Sequence, residues 1–175
     1  MALLPDMKKH WTRKYAEGFS GHDPHSTEVE AALKAALRPG TVLEIGAGAG
    51  HFTRLVEEWG YDITATDLVM GTTLDITEER LGEFDNVIAM GVLHHILEYE
   101  KFHAALQNIR AMAQKRIIVG VKLPSEQLKR KTRHSYRYGV LDYIDVFGGP
   151  VTVTACGYLS VLEWDVGKLS RPSLS

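Results

Sequence analysis

Apolar residues recur along this chain with two different periods, and the alternation between the two predicts the elements. Val29, Ala32, Leu33, Ala36 and Leu37 fall three or four apart, the spacing of one helix face, until Pro39-Gly40 stops the pattern. Thr27 with Glu30, just ahead of that stripe, predicts a capping box in which the two residues satisfy each other's backbone N–H groups. Residues 41 to 45, Thr-Val-Leu-Glu-Ile, are a short apolar run that meets glycine abruptly, as a buried parallel strand does on entering a turn. Helical spacing returns from Phe52 to Trp59, and Tyr61 to Asp67 is a β-branched stretch that ends in an acid. Residues 71 to 76 read as weaker extended chain and 77 to 81 as a short polar helix.

Asn86 to Met90 and Arg116 to Lys122 are the next buried strands, and between them Phe102, Leu106, Ile109 and Ala113 mark a helix over 99 to 113. Strands alternating with helices predict a parallel sheet covered on both faces, because parallel neighbours need a crossover and the crossover is usually a helix. The fold class is therefore α/β. Two β-rich runs near the end, 151 to 156 and 159 to 166, are separated by Gly157-Tyr158 and predict an antiparallel hairpin at the sheet edge. Residues 1 to 25 mix Trp11, Tyr15 and Phe19 with basic and small residues and predict a short helix followed by loop. The expected organisation is one domain over 1 to 175, with a leader over 1 to 25, a core over 26 to 123, and a helix and the edge hairpin over 124 to 175.

Composition narrows this picture. A chain of 175 residues with 45% hydrophobic and 24% charged positions has the make-up of one ordinary globular domain. Its formal net charge of -2 supplies no global field for polyanions, so a nucleic-acid partner would need a local patch. The single cysteine, Cys156, excludes an internal disulfide and a zinc site built on several thiolates. It reads as a small buried apolar residue of the hairpin. His22 and His25 have no cysteine partner and no matching carboxylate spacing, so no metal is expected. The N-terminal apolar run is too short for a signal peptide core, and no stretch approaches the roughly 20 apolar residues that span a bilayer. The expected compartment is the cytoplasm and no membrane partner is expected.

The chemistry concentrates after the first strand. Glycines at 46, 48 and 50 clear side chains from a turn, letting backbone approach a ligand and take positive φ. The following helix points its unpaired N–H groups at the same place. Asp67 ends the second strand, where nucleotide-binding α/β folds place an acid for ribose hydroxyls. Turn and acid together imply an adenosine-containing ligand. A nicotinamide dinucleotide fits less well, since its fingerprint wants Gly or Ala where His51 stands.

Val42-Leu-Glu-Ile-Gly-Ala-Gly-Ala-Gly50, Ala65-Thr-Asp67 and Phe84-Asp-Asn-Val-Ile-Ala-Met-Gly-Val-Leu-His-His-Ile96 resemble motifs I, II and IV of the class I S-adenosylmethionine-dependent methyltransferases, in order and spacing as well as in wording. The resemblance covers residues 26 to 123. It implies a three-layer α/β/α Rossmann-like methyltransferase fold, with a mostly parallel seven-stranded sheet and a C-terminal antiparallel hairpin. It further implies S-adenosylmethionine as cofactor, with the turn at Gly46, Ala47, Gly48 and Gly50 holding the methionine part and Glu44 near its amino group. Asp67 would take the ribose hydroxyls with Leu68 beside it. Asp75 and Ile76 are similar to the third motif, where an acid meets the adenine amino group and an apolar neighbour packs on the ring. Met90 and Gly91 would line the methyl-donating end. Too few residues separate Asp67 from Asp75 for the usual third helix and full third strand, so this corner is trimmed. For Asp75 a solvent-facing turn acid is the alternative.

Methyl transfer from a sulfonium needs alignment and exclusion of water more than it needs a metal or a covalent intermediate. A base helps only an acceptor that arrives protonated. The candidates are His94, His95, Tyr15 and His10, with at most one of His94 and His95 expected to face the site because neighbours at a helix start diverge. Trp11 and Tyr15, spaced for one helix face, resemble the N-terminal segment that folds over the cofactor in this family. The fourth motif lacks the Pro-Pro-aromatic signature of enzymes that methylate base amino groups, reading Met90-Gly-Val-Leu93 instead. The expected partner is therefore a small-molecule acceptor, methylated on oxygen or nitrogen. Lys129, Arg130, Lys131, Arg133 and Arg137 form a basic run that suits an anionic acceptor, RNA phosphates or a solvated helix face. A catalytically silent module of the same fold is the remaining alternative.

Overall fold

A carboxylate opens the first helix: Asp6 accepts the Lys9 amide at 3.1 Å at the start of α1 (Met7–Ala16), using an orphan donor of the first turn. The computed structural model describes residues 6 to 18, 27 to 123 and 135 to 168. α2 (Thr27–Ala36) turns Val29, Leu33 and Ala36 into the core, and β1 (Thr41–Ile45) follows. α3 (His51–Glu58) leads to β2 (Asp62–Asp67), and the trimmed corner holds only a two-residue β3 (Thr72–Thr73). β4 (Phe84–Met90), α4 (Tyr99–Met112) and β5 (Ala113–Val121) complete the parallel part. α5 (Val140–Phe147) and the hairpin of β6 (Thr152–Cys156) and β7 (Leu159–Asp165) come last.

The sheet has seven strands in the order β3-β2-β1-β4-β5-β7-β6. Strands β3 to β5 pair in parallel, and β7 runs antiparallel to both β5 and β6. At the hairpin turn Gly157 has φ 64 and Tyr158 has negative φ, the pattern of a type II′ turn with glycine first. Chain order runs outward from β1 through β2 to β3 and then jumps back to β4 on the other side of β1. Such a switch of direction opens a crevice at the carboxyl ends of the two diverging strands.

Successive residues of the central strands serve opposite faces. Leu43, Val87, Ala89, Ile117 and Val119 pack under α4 and α5 with Phe102, Leu106, Tyr143 and Trp164. Val42, Ile88 and Ile118 pack under α2 and α3 with Leu33, Phe52 and Val56. Burial on both faces explains why these strands read as continuous apolar runs rather than alternating ones. The three-layer α/β/α fold, mostly parallel with an antiparallel C-terminal hairpin, is the architecture expected from the sequence.

Three local expectations need correction. Thr27 is the first helical residue of α2 rather than its cap, and Glu30 does not reach back, since its Oε1 lies 3.2 Å from Nε2 of His51 on α3. Residues 77 to 81 form no helix: Asp75 Oδ1 accepts the Thr77 amide at 3.0 Å and its hydroxyl at 2.7 Å, which closes a turn instead. β5 begins at Ala113, directly after α4 and three residues before the expected start, and pairs there with Phe84 across a register shift. Among the described residues no helix is long and apolar enough to cross a membrane.

Candidate functional site

Where β1 runs out, the backbone takes conformations that side chains resist. Gly46, Gly48 and Gly50 have φ of 73, 54 and 76°. A β-carbon on Gly46 would lie 2.3 Å from Val92 Cγ2, and one on Gly48 would lie 3.0 Å from the Tyr15 hydroxyl. Glycine is thus required by sterics and by dihedral at 46, and by dihedral at 48, where the Tyr15 hydroxyl also approaches closely. The turn is pinned to the neighbouring strand: the Ala47 amide donates to Thr66 O at 2.9 Å, and the Gly48 amide donates to Asp67 Oδ2 at 3.1 Å. The other Asp67 oxygen accepts the Val69 amide at 3.0 Å. An ionised carboxylate has about four acceptor sites, so Asp67 keeps capacity for further donors. Gly50 plays another part, standing at the N-cap of α3.

The turn forms one wall of a cavity of about 730 Å³ at the switch point between β1 and β4. Glu44, Gly46, Ala47, Gly48, Asp67, Leu68, Asp75, Ile76, Met90 and Gly91 all border it. Gly50 does not; it borders a smaller hollow on the outer side of the turn. Asp75 is both things the sequence left open, a turn acid bonded to Thr77 and a wall of the cavity beside buried Ile76. Glu44 is only 2% exposed, and Thr53 Oγ1 on α3 donates to its Oε2 at 2.5 Å. Burial pushes its carboxyl up to about 7, the Thr53 bond opposing and the Asp67 charge assisting. A cation arriving there would draw the proton off.

α1 lies across the mouth, placing Trp11 and Tyr15 on the cavity. Burial, with the Asp67 charge, pushes the Tyr15 phenol up to about 12, so it stays a neutral O–H. His10, on the same helix, does not border the cavity. His94 and His95 sit in a short 3-10 turn, Leu93–His95, just past β4. Contrary to expectation both border the cavity; the tight turn keeps their rings 4.0 Å apart and tilted by 40°, and Trp11 meets His95 edge-on at 4.8 Å. His94 is 8% exposed and its Nδ1 is buried without a hydrogen-bond partner among the described residues. Burial first, then the charges of His95, Lys122 and Arg137, drive its ring far below the usual histidine range. It is a neutral imidazole.

The sequence reading missed Lys122 and Thr53. Lys122 is the polar residue that ends the β5 run, and the carboxyl end of a parallel strand is where site residues stand. Thr53 carried no such signal, since its partner Glu44 is nine residues away. Of the basic run only Arg137 is described; Lys129, Arg130, Lys131 and Arg133 lie outside the described residues, as do His22 and His25.

A family model described as a methyltransferase domain matches residues 19–145. No match was found among curated protein sequences. Among solved structures, the chain resembles 1,6-didemethyltoxoflavin-N1-methyltransferase of Burkholderia thailandensis, with 1,6-didemethyltoxoflavin and S-adenosylhomocysteine bound. The TM-score is 0.70 at 20% identity over 93% of this chain and 90% of that one. Magnesium protoporphyrin IX methyltransferase of Synechocystis PCC 6803, with S-adenosylmethionine bound, aligns with a TM-score of 0.61 at 16% identity over 93% and 98% of the two chains. A glycopeptide N-methyltransferase aligns with 0.59 at 15% identity over 82% and 90%. At such identities the likeness establishes a shared fold.

Proposed function

Since the chain belongs to the methyltransferase domain family, we propose that it methylates an oxygen or nitrogen of a small molecule with S-adenosylmethionine as donor. The observation that carries this reading is the side-chain-free bend at Gly46 and Gly48, tied to the Asp67 carboxylate at 3.1 Å and opening on the cavity at the switch point. The residues present suit that cofactor. Backbone of Gly46, Ala47 and Gly48 approaches the amino-acid tail, and Glu44 receives its ammonium. Asp67, with lone pairs left over, accepts ribose hydroxyls, while Leu68, Asp75 and Ile76 border the base. Met90 and Gly91 flank the methyl end, and Gly50 contributes by capping the helix that the turn feeds. The cofactor supplies a methyl group on positively charged sulfur; the protein's part is alignment and the exclusion of water by Trp11 and Tyr15. His94, His95 and Tyr15 border the cavity and are the candidates to bond an acceptor. The solved relatives that hold S-adenosylmethionine or S-adenosylhomocysteine support the cofactor assignment.

Calorimetry with S-adenosylhomocysteine tests the reading. Saturable binding is expected, weakened about a hundredfold or more in Asp67→Ala and less in Asp67→Asn, which keeps one acceptor for the turn amides. No heat from the wild type with either cofactor form would sink the assignment.

A further inference from the structure

We propose that the acceptor enters as an oxyanion, a carboxylate or an acidic hydroxyl already without its proton, and that Lys122 selects it; this rests on the methyl-transfer reading above. Charges of both signs border the cavity. Glu44, Asp67 and Asp75 lie around the glycine turn and the strand end beside it, Asp6 and Lys8 come from the start of α1, Glu98 and Lys101 pair with each other at 3.4 Å, and Lys122 borders it past the end of β5. The Gly91 amide donates to Gly120 O at 2.9 Å, which sets Lys122, two residues further on, beside the loop that carries His94. The Tyr136 amide donates to His94 O at 2.7 Å, which brings Arg137 to the same end. Both cations bear on the His94 ring. The Lys122 ammonium is steadied by the hairpin turn, lying 4.0 Å over the Tyr158 ring.

Two consequences follow for the nucleophile. His94 is neutral and weakly basic, so its ring is suited to hydrogen bonding an acceptor and not to removing a proton from one. A neutral amine would become a cation on methylation, in a cavity that Lys122 already borders. An oxyanion does the reverse: its lone pair forms the O–C bond while the C–S bond breaks with its electron pair left on sulfur. The charges of oxyanion and sulfonium cancel, and no proton moves. Ground-state attraction to Lys122 and loss of charge in the product both favour this class, and product repulsion disfavours the other.

Benzoate, benzamide and benzylamine probe the inference, since they share one ring and differ in charge, and the cavity wall near His95 includes apolar Ile96 and Leu97. With the full chain saturated in S-adenosylhomocysteine, calorimetry is expected to show benzoate at least about tenfold tighter than either analogue. Lys122→Gln should abolish that preference and Lys122→Arg should keep it, with affinity for S-adenosylhomocysteine unchanged in both. Benzoate binding no better than benzamide or benzylamine, absence of benzoate binding included, overturns the proposal. A preference that survives in Lys122→Gln overturns it equally. Failure of the wild type to bind S-adenosylhomocysteine overturns the methyl-transfer reading first, and this one with it.

Discussion

Glu44 stands in a buried strand between Leu43 and Ile45, where water cannot keep a carboxylate charged. Its carboxyl titrates near 4.5 in an open chain and at about 7 in the fold. Between those values the folded state holds the extra proton, so this group stabilises the protein at low pH and its contribution is lost as pH rises through the folded value. Glu44→Gln removes that dependence. The Tm of the variant relative to the wild type is expected to rise between about pH 5 and about pH 8, as followed by circular dichroism; parallel curves would contradict the assignment. The acid was legible as a site residue because it interrupts an apolar run two positions before the first glycine. Its protonation was not, because the burial that raises its carboxyl, and the Thr53 hydroxyl that works against it, come from other elements. His94 is a parallel case: its place after β4 could be read, but the orphaned Nδ1 depends on what packs around the ring.

At the scale of elements, strong periods survived and weak ones did not. The apolar runs of β1, β4 and β5 and the stripes of α2, α3 and α4 all became the expected elements, because each buries enough surface to hold its conformation. The stretch over 77 to 81 had no apolar face, and Asp75 holds Thr77 in a turn instead. Connections between elements were invisible in the pattern, and Asn86 is the instructive one. Fully buried within β4, its side-chain amide donates to Arg38 O at 2.8 Å and Thr41 O at 3.2 Å, and its oxygen accepts the Arg38 amide at 2.8 Å. It fastens the loop between α2 and β1. Asn86→Leu leaves those backbone groups unpaired and is expected to cost on the order of 3 kcal/mol. Urea denaturation reads this as a lowered midpoint at unchanged slope, and an unmoved midpoint would show the loop to be held otherwise.

The whole molecule adds what no element contains, a crevice made by the reversal of strand order between β1 and β4. The site draws on α1, the turn after β1, the ends of β2 and β4, and Lys122 after β5, so a ligand there ties the two halves of the sheet together. S-adenosylhomocysteine at about a hundred times its Kd is expected to add about 2.7 kcal/mol of stability. For a domain of this size that is a Tm rise of roughly 5–10 °C, read by differential scanning calorimetry and largely absent in Asp67→Ala. A thermal transition indifferent to the ligand would mean that the cavity does not hold it. Sequence by itself determined the α/β class, the glycine turn, the acid one strand over and the hairpin, because each follows from local sterics or from hydrophobic period over a short span. Only tertiary structure decided that both histidines border the cavity while Gly50 and His10 do not, that Asp75 is a turn acid and a cavity wall at once, and that Lys122 faces the His94 loop. Those outcomes depend on contacts between residues far apart in the chain, and neither period nor propensity carries information about them.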